Sequence, residues 1–270
     1  MITKIQIYTI NKVLDYLKFA LLNSRKIEAK PGLKGQCPSC GSELIPRCGK
    51  VKIHHWAHKS VKMCDNWWEN ETQWHRDWKN HFPVEWQEVV QIAEDGEKHI
   101  ADVKTSEGWV IEFQHSYLKD KERESRDRFY GSKLVWVVDG DRTKTSFKQF
   151  KRALEASKIL DLVKASAYRV NANDYRILKD WVRTSSLVLF DFKHYTEDLW
   201  LLFDEFLVPI NRSFFIELIK ETKLNGFYEK ISSLLAPHKP NNLEKINKNR
   251  LIIDSRLIRV NPRIRRGRIF

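Results

Sequence analysis

The sequence of 270 residues has no run of about 18 apolar residues, which is the length that a transmembrane helix requires. Its first residues do not have the layout of a secretory signal peptide. It also holds no internal repeat and no low-complexity tract, so nothing indicates a repeat array. These absences predict a cytoplasmic protein without a membrane span, built from one large or two modest domains.

Cysteine is scarce and clustered: the chain has 4, and all of them lie between Cys37 and Cys64. Thiols stay reduced in the cytosol, so we do not expect disulfides. Thiolates and imidazoles at this spacing suit a tetrahedral structural Zn²⁺, and a reduced loop without metal is the alternative. Cys37 and Cys40, on a tight turn, are predicted to be the first pair of zinc ligands. A tetrahedral site needs four ligands, and the segment offers more candidates than that: Cys37, Cys40, Cys48, His54, His55, His58 and Cys64.

Acidic residues are outnumbered, with 35 Asp and Glu against 48 Lys and Arg and a formal net charge of +13. Such an excess favours polyanions, with nucleic acid as the first choice and an anionic membrane surface as the second. The stretch 241–270 carries nine basic residues against two acidic ones. Its Arg-rich end from Arg263 to Arg268 is suited to clamp phosphates without reading sequence. A solvated basic surface without a partner is the alternative.

Two segments of alternating polarity, residues 98–104 and 109–114, flank a connection that contains Gly108. A hairpin formed by these strands would bring Asp102 and Glu112 together. Two converging carboxylates are hard oxygen ligands that suit Mg²⁺ or Mn²⁺. Such an ion activates water and neutralises charge on a phosphate. The alternative is a solvated acidic face.

A helix is expected before the hairpin, and it would place Glu71, His75 and Lys79 on one stripe. A surface row of ion pairs is the alternative for that stripe. A second, highly charged helix with Arg126 follows the hairpin, and residues 134–138 form a continuous apolar strand. This order of acids, helices and strands is typical of a metal-dependent phosphodiester-cleaving core.

Residues 30–142 resemble the competence protein CoiA family, a branch of the PD-(D/E)XK restriction-endonuclease-like superfamily. The matching residues, in order, are Glu71, His75, Lys79, Asp102, Glu112, Gln114, Ser116, Arg126 and Tyr130. The resemblance implies an α/β fold with an αβββαβ core and a DNA-directed nuclease that acts in DNA uptake or recombination during competence. A role in defence against foreign DNA is equally compatible with the sequence. The resemblance also makes His55 and His58 the second zinc pair, with Cys64 as a rival.

In the hypothesis of a DNA-acting nuclease, these residues have distinct roles. Asp102 and Glu112 would hold Mg²⁺ or Mn²⁺, and Glu71 would orient water or a second ion. Gln114 stands where the wider superfamily has lysine, and it brings a hydrogen-bond donor without charge. Lys79, His99 or Arg126 are candidates for the missing charge. Two alternatives stay open: a DNA-binding accessory protein with weak or no cleavage, and an RNA endonuclease.

These patterns divide the chain into an N-terminal zinc-finger-like module over residues 1–66, a nuclease-like core over 67–142 and a C-terminal region over 143–270. We expect the C-terminal region to be mostly helical and basic. Its helices are predicted over 147–163, 199–207 and 214–224, with one strand over 186–192. No catalytic motif occurs there. DNA is the expected partner, and recombination proteins are further candidates.

Overall fold

The computed structural model describes residues 16–60, 64–67, 69–162 and 165–238. The basic stretch 241–270 therefore lies outside the described residues. The chain divides into two compact units. The first unit comprises Met1–Asp77 and Glu88–Ile100, and the second comprises Trp78–Gln87 and Ala101–Phe270.

Groups of strands are separated by helices along the described chain. The strands are β1 Phe19–Leu22, β2 Arg25–Glu28, β3 Gly35–Gln36, β4 Glu43–Arg47, β5 His55–His58, β6 Gln87–Ile92, β7 Lys98–Lys104, β8 Val110–Gln114, β9 Leu134–Asp139, β10 Lys158–Leu162, β11 Ala165–Arg169, β12 Leu187–Asp191, β13 Asp198–Phe203 and β14 Phe206–Asn211. The helices are α1 Gln73–Lys79, α2 Asp120–Tyr130, α3 Lys144–Glu155, α4 Arg176–Lys179, α5 Arg212–Lys220 and α6 Leu224–Leu235.

The first unit contains an antiparallel sheet in the order β2-β1-β3-β4-β5. Gly35 allows β3 to approach β1 closely, because a Cβ at that position would lie 2.5 Å from the Cβ of Ala20. Trp56 is fully buried in the core of this sheet, and its indole N–H donates to the carbonyl of Ile27. A small apolar core therefore forms around the region that contains the cysteines.

A buried carboxylate holds the beginning of β1 in the first unit. Glu88, on β6, accepts hydrogen bonds from the backbone N–H groups of Lys18 at 2.9 Å and Phe19 at 3.0 Å. Its own backbone has a φ of 47°, in the left-handed region that non-glycine residues seldom adopt. This strain is maintained because the carboxylate satisfies two buried donors.

The second unit is built on a mixed sheet in the order β10-β11-β14-β13-β12-β9-β8-β7. β8, β9 and β12 run parallel to one another, and the other pairs with a described register are antiparallel. All residues of β8, β9 and β12 are buried, as expected for parallel strands covered on both faces. The predicted mixed α/β class is thus confirmed.

The prediction that residues 143–270 are mostly helical is not supported, because β10 to β14 all lie among the described residues of this region. The predicted helix over 199–207 is a hairpin of β13 and β14. Its turn passes through Asp204, which adopts a φ of 50°. The helix expected over 147–163 ends at Glu155 and is followed by β10. The strand expected over 186–192 is present as β12.

The described part of the chain contains no helix that combines the length and the apolar character needed to cross a membrane.

Candidate functional site

The first candidate site is a cluster of three cysteines and one histidine. Side-chain ligand atoms of Cys37, Cys40, His58 and Cys64 all lie within 4.8 Å of one another. The Sγ atoms of Cys37 and Cys64 are 3.6 Å apart, and Sγ of Cys40 lies 3.2 Å from Nε2 of His58. Three thiolates and one imidazole are a donor set that fits a structural Zn²⁺. These four residues could therefore hold a zinc ion.

Local backbone geometry presents the first two of these ligands. Cys37 directly follows β3, and its carbonyl accepts from the N–H of Gly41 at 2.9 Å. Gly41 has a φ of 72°, which is the conformation that this tight turn requires. The turn brings the Sγ atoms of Cys37 and Cys40 to the same side, and His58 enters from the end of β5.

The thiols of Cys37 and Cys64 have pKa values that are shifted in opposite directions. A hydrogen bond from the Cys64 thiol lowers the pKa of Cys37 to about 5. The same hydrogen bond, together with burial, raises the pKa of Cys64 well above its usual range. Zinc is bound by thiolates, so metal binding at this pair would release any proton that the two thiols hold.

His55 does not belong to this group, although the sequence analysis paired it with His58. Its Nδ1 lies 2.8 Å from the carbonyl oxygen of Ile53, and its ring stacks on Tyr16 at 3.8 Å. Burial lowers the pKa of His55, which favours its neutral form. Cys48 packs against the apolar core of the first unit. Cys64 is therefore the fourth residue of the cluster.

The second candidate site lies on β7 and β8 in the second unit. The backbone N–H of Asp102 donates to Oε1 of Glu112 at 3.3 Å, and the N–H of Phe113 donates to Oδ2 of Asp102 at 2.9 Å. The turn before β8 uses Gly108 with a φ of 81°. The hairpin therefore brings Asp102 and Glu112 together, as the alternation of side chains predicted.

Each of these carboxylates faces a buried cation. Nζ of Lys79 lies 3.9 Å from Oδ1 of Asp102, and the Lys79 side chain is only 3% exposed. Nη1 of Arg126 lies 3.3 Å from Oε2 of Glu112, and Arg126 also binds Glu122 at 2.6 Å. Burial opposes the charge of Arg126, but the attraction of both glutamates outweighs it and raises its pKa.

Contacts with neighbouring residues hold Lys79 and Gln114 in position. Trp78 stacks on Phe113 at 5.5 Å between ring centroids and donates its indole N–H to Asp191 at 2.9 Å. Lys79 is thereby positioned at the end of α1. The amide of Gln114 donates to the carbonyl of Ser116 at 3.1 Å, so the glutamine is oriented at the end of β8.

The placement of Glu71 corrects one prediction. Because α1 begins at Gln73, Glu71 precedes the helix and does not share its stripe with His75 and Lys79. Within the first unit, Glu71 accepts from Arg76 at 2.6 Å. His75 contacts Glu69 at 3.4 Å and the Thr72 hydroxyl at 2.9 Å. The catalytic roles of Glu71 and His75 stay predictions.

His99 is engaged elsewhere in the first unit. Its two ring nitrogens lie 2.8 Å from Asp65 and 3.0 Å from Glu97, and the ring stacks on Trp67. Of the three candidates for the missing charge, Lys79 and Arg126 are the ones that contact the Asp102 and Glu112 pair.

Sequence reasoning did not single out one pair next to Gln114. Nδ1 of His115 lies 2.6 Å from Oδ2 of Asp139 at the adjoining ends of β8 and β9. The signal was present, since Asp139 directly follows the continuous apolar run 134–138 and ends β9, which runs parallel to β8. The carboxyl ends of neighbouring parallel strands meet at one sheet edge, where binding groups are usually found.

Comparison with known proteins gave one family match. Residues 23–66 match the family model described as the N-terminal domain of competence protein CoiA. This segment contains all four members of the cysteine and histidine cluster. The resemblance to CoiA is therefore confirmed for the N-terminal module. No curated protein and no solved structure gave a match to this chain.

Proposed function

We propose that this protein is a metal-dependent nuclease that acts on DNA in competence or recombination. The observation that carries the proposal is the pairing of Asp102 and Glu112 on adjacent strands beside two buried cations. Their carboxylates are the oxygen ligands that Mg²⁺ or Mn²⁺ prefers. When bound, such an ion would supply an activated water and neutralise charge on the phosphate.

The chain's own residues have distinct tasks in this proposal. Lys79, held against Asp102, supplies the positive charge that the superfamily places where Gln114 stands here. Arg126 fixes the orientation of Glu112 and adds a guanidinium suited to a phosphate oxygen. Gln114, oriented by Ser116, positions the nucleophile or the phosphate through its amide.

The arrangement of elements supports the finer assignment to a PD-(D/E)XK core. The order α1, β6, β7, β8, α2, β9 is the expected αβββαβ order. β7 and β8 pair antiparallel, and β8 and β9 pair parallel. The match of residues 23–66 to the CoiA N-terminal domain supports a competence role. The basic residues of 241–270 support binding to a polyanion.

A DNA-binding accessory protein with little or no cleavage is the second candidate. The carboxylate oxygens of Asp102 and Glu112 already have cationic and backbone partners. A metal ion would have to compete with these partners for the same oxygens. This competition favours weak metal binding and slow cleavage.

The test is cleavage of labelled single-stranded DNA, double-stranded DNA and RNA of matched sequence with Mg²⁺ or Mn²⁺. Asp102→Asn and Glu112→Gln keep the side-chain shape while removing the charge, and we expect each to lower the rate by about 100-fold or more. Glu124→Gln, an exposed acid on α2, is the matched control and should leave the rate unchanged.

The outcomes separate the candidates. Metal-dependent cutting of DNA that is lost in both variants supports the nuclease. Equal cutting by the parent and both variants identifies a contaminant and rejects the site. Binding of DNA by all forms without cutting supports the accessory protein. A preference for RNA at matched salt supports an RNA endonuclease.

A further inference from the structure

A cleft in the second unit begins where the candidate catalytic strand ends. Gln114 of β8 pairs with Val138 of β9, and the segments that follow both strands line two adjoining cavities. The larger cavity has a volume of about 370 Å³ and the smaller about 20 Å³. The larger cavity can hold a small ligand, and the smaller cavity can hold a water molecule or one phosphate oxygen.

The cleft contains groups that bind anions, in addition to the carboxyl groups of Asp139 and Asp180. Arg142 and Arg176 contribute guanidinium groups, and both residues are exposed. Thr143, Thr145 and Ser146 line it at the start of α3, a helix of 12 residues whose N-terminal end favours negative charge. Arginines with hydroxyls at a helix N-terminus are suited to a phosphate.

A buried arginine provides independent support for a ligand. Arg123 lines the smaller cavity and is 4% exposed. Its Nη1 donates to Asp120 and to the backbone carbonyl of Asp180. Its Nε has no hydrogen-bond partner among the described residues. A buried donor of this kind calls for an acceptor, which a phosphate oxygen or its bridging water would provide.

An aromatic ring completes the cleft. Tyr117 lines both cavities and is 53% exposed. The guanidinium of Arg176 lies 5.7 Å from the centre of its ring, which restricts the ring's orientation. More than half of the residue remains accessible, so a flat group can stack on it. Bases of single-stranded nucleic acids stack on aromatic side chains in this manner.

We propose that this cleft binds a nucleotide of a single-stranded DNA segment next to the scissile phosphate. Arg142, Arg176 and the start of α3 hold its backbone phosphate, and Tyr117 stacks on its base. This inference rests on the proposed function for the identity of the ligand. The short connection from Gln114 through Ser116 to Tyr117 makes the cleft the continuation of the candidate catalytic strand.

The test is the binding of a fluorescent single-stranded DNA of about 12 nucleotides, followed by anisotropy without added divalent cation at several salt concentrations. Arg142→Gln combined with Arg176→Gln removes two charges from the cleft. We expect weaker binding and a slope of log K against log salt that is shallower by about 1.4. Tyr117→Ala should weaken binding by about 5- to 150-fold, whereas Tyr117→Phe should keep it.

The matched control is Arg128→Gln combined with Arg183→Gln, which removes the same charge from exposed residues outside the cleft. Equal losses in the two double variants, or an unchanged Tyr117→Ala, would overturn the proposal. Competition by inorganic phosphate or a free mononucleotide as effective as by DNA would also overturn it, because the cleft would then hold a free ligand. RNA that competes more strongly than DNA would overturn the choice of DNA.

Binding and cleavage are read separately in this design. If no form of the protein cuts DNA but the cleft variants bind it selectively less well, the nuclease proposal fails and the nucleotide site stands. If the parent cuts DNA and the cleft variants bind like their control, the nuclease stands and the nucleotide site fails.

Discussion

Lys79 and Asp102 form an ion pair, with 3.9 Å between Nζ of the lysine and Oδ1 of the aspartate. The lysine is almost completely buried. One residue comes from the end of a helix and the other from a strand. Arg126 and Glu112 form a second such pair from α2 and β8. The two acids on neighbouring strands therefore each have a cation that approaches from a helix.

Lys79 is the residue that we expect to replace the missing lysine of β8. Lys79→Met removes its charge and should lower the cleavage rate by about 100- to 1000-fold, with DNA affinity retained. Lys79→Arg should restore part of the activity, because a cation then still faces Asp102. Rates under single-turnover conditions measure this effect. Lys158→Met, at an exposed position on β10, is the control and should cut normally.

Metal analysis of single variants can identify which of the candidate residues bind zinc. We expect one zinc per chain in the parent, and loss of zinc in His58→Asn and Cys64→Ser because both residues belong to the cluster. His55→Asn and Cys48→Ser should retain zinc. Removal of zinc with a chelator should lower the melting temperature, since structural zinc contributes directly to folding. Zinc retained in Cys64→Ser but lost in His55→Asn would reverse our ligand assignment.

Asp180 gives the cleft a pH dependence. Its pKa is raised by burial and by Asp120, against the opposing effects of Arg176, Arg123 and Arg142. A raised pKa means that the folded state holds the proton more tightly than the unfolded state. Stability therefore falls as pH rises from the ordinary aspartate pKa through the raised value, and it stays lower above that value.

Asp180→Asn removes the loss of stability that accompanies deprotonation of this carboxyl group. The variant should be slightly more stable than the parent at pH 7, with the difference disappearing below the ordinary pKa of aspartate. It should also bind single-stranded DNA more tightly at pH 7, because the carboxylate repels a phosphate in the cleft. Urea unfolding and anisotropy at several pH values measure both effects. Weaker DNA binding by the variant would contradict this prediction.

Glu88 is predicted to be a stability residue of the first unit. Glu88→Ala leaves the buried N–H groups of Lys18 and Phe19 without their acceptors. The expected loss in the free energy of unfolding is about 2–6 kcal/mol, and Glu88→Gln should lose less because it retains a carbonyl oxygen. Urea unfolding of the full chain measures the change. Glu94→Ala, an exposed acid in the same unit, should be neutral.

The local pattern was sufficient to predict the hairpin of the candidate catalytic site. Alternation across Gly108 predicted that Asp102 and Glu112 come together, and the structure brings them together. The charges of α2 were harder to interpret. A helix dense in lysine, arginine and acids is usually exposed, yet Arg126 is buried against Glu112. Only the tertiary packing of α2 on β8 determines which of its charges is buried.

The candidate zinc ligands show a limit of spacing arguments. His55 and His58 are three residues apart, which suits one metal if the segment is a turn or helix. The segment is instead β5, and residues three apart on a strand point to opposite faces. His58 therefore joins the cysteines while His55 packs against Tyr16. The element type had to be known before the ligand could be chosen.

The C-terminal region was misinterpreted because a short apolar run does not distinguish a buried helix from a buried strand. The stretch Leu199–Phe203 is one such run, and Asp204 then adopts a left-handed conformation that turns the chain back. A turn of this kind at an aspartate is a weak signal in sequence. Pairing of β13 with both β12 and β14 makes the strand the stable choice.

The position of β9 in the sheet determines how this protein can be dissected. β8 pairs with one edge of β9, and β12 pairs with the other from Leu187 to Asp191. A fragment that stopped at residue 142 would leave the second edge of β9 unpaired, and all residues of this strand except Asp139 are apolar. Unprotected edges of this kind recruit other chains and aggregate. The sheet that carries the acids of β7 and β8 therefore depends for its solubility on β12, which begins almost fifty residues after β9 ends, and any shortened form should retain it.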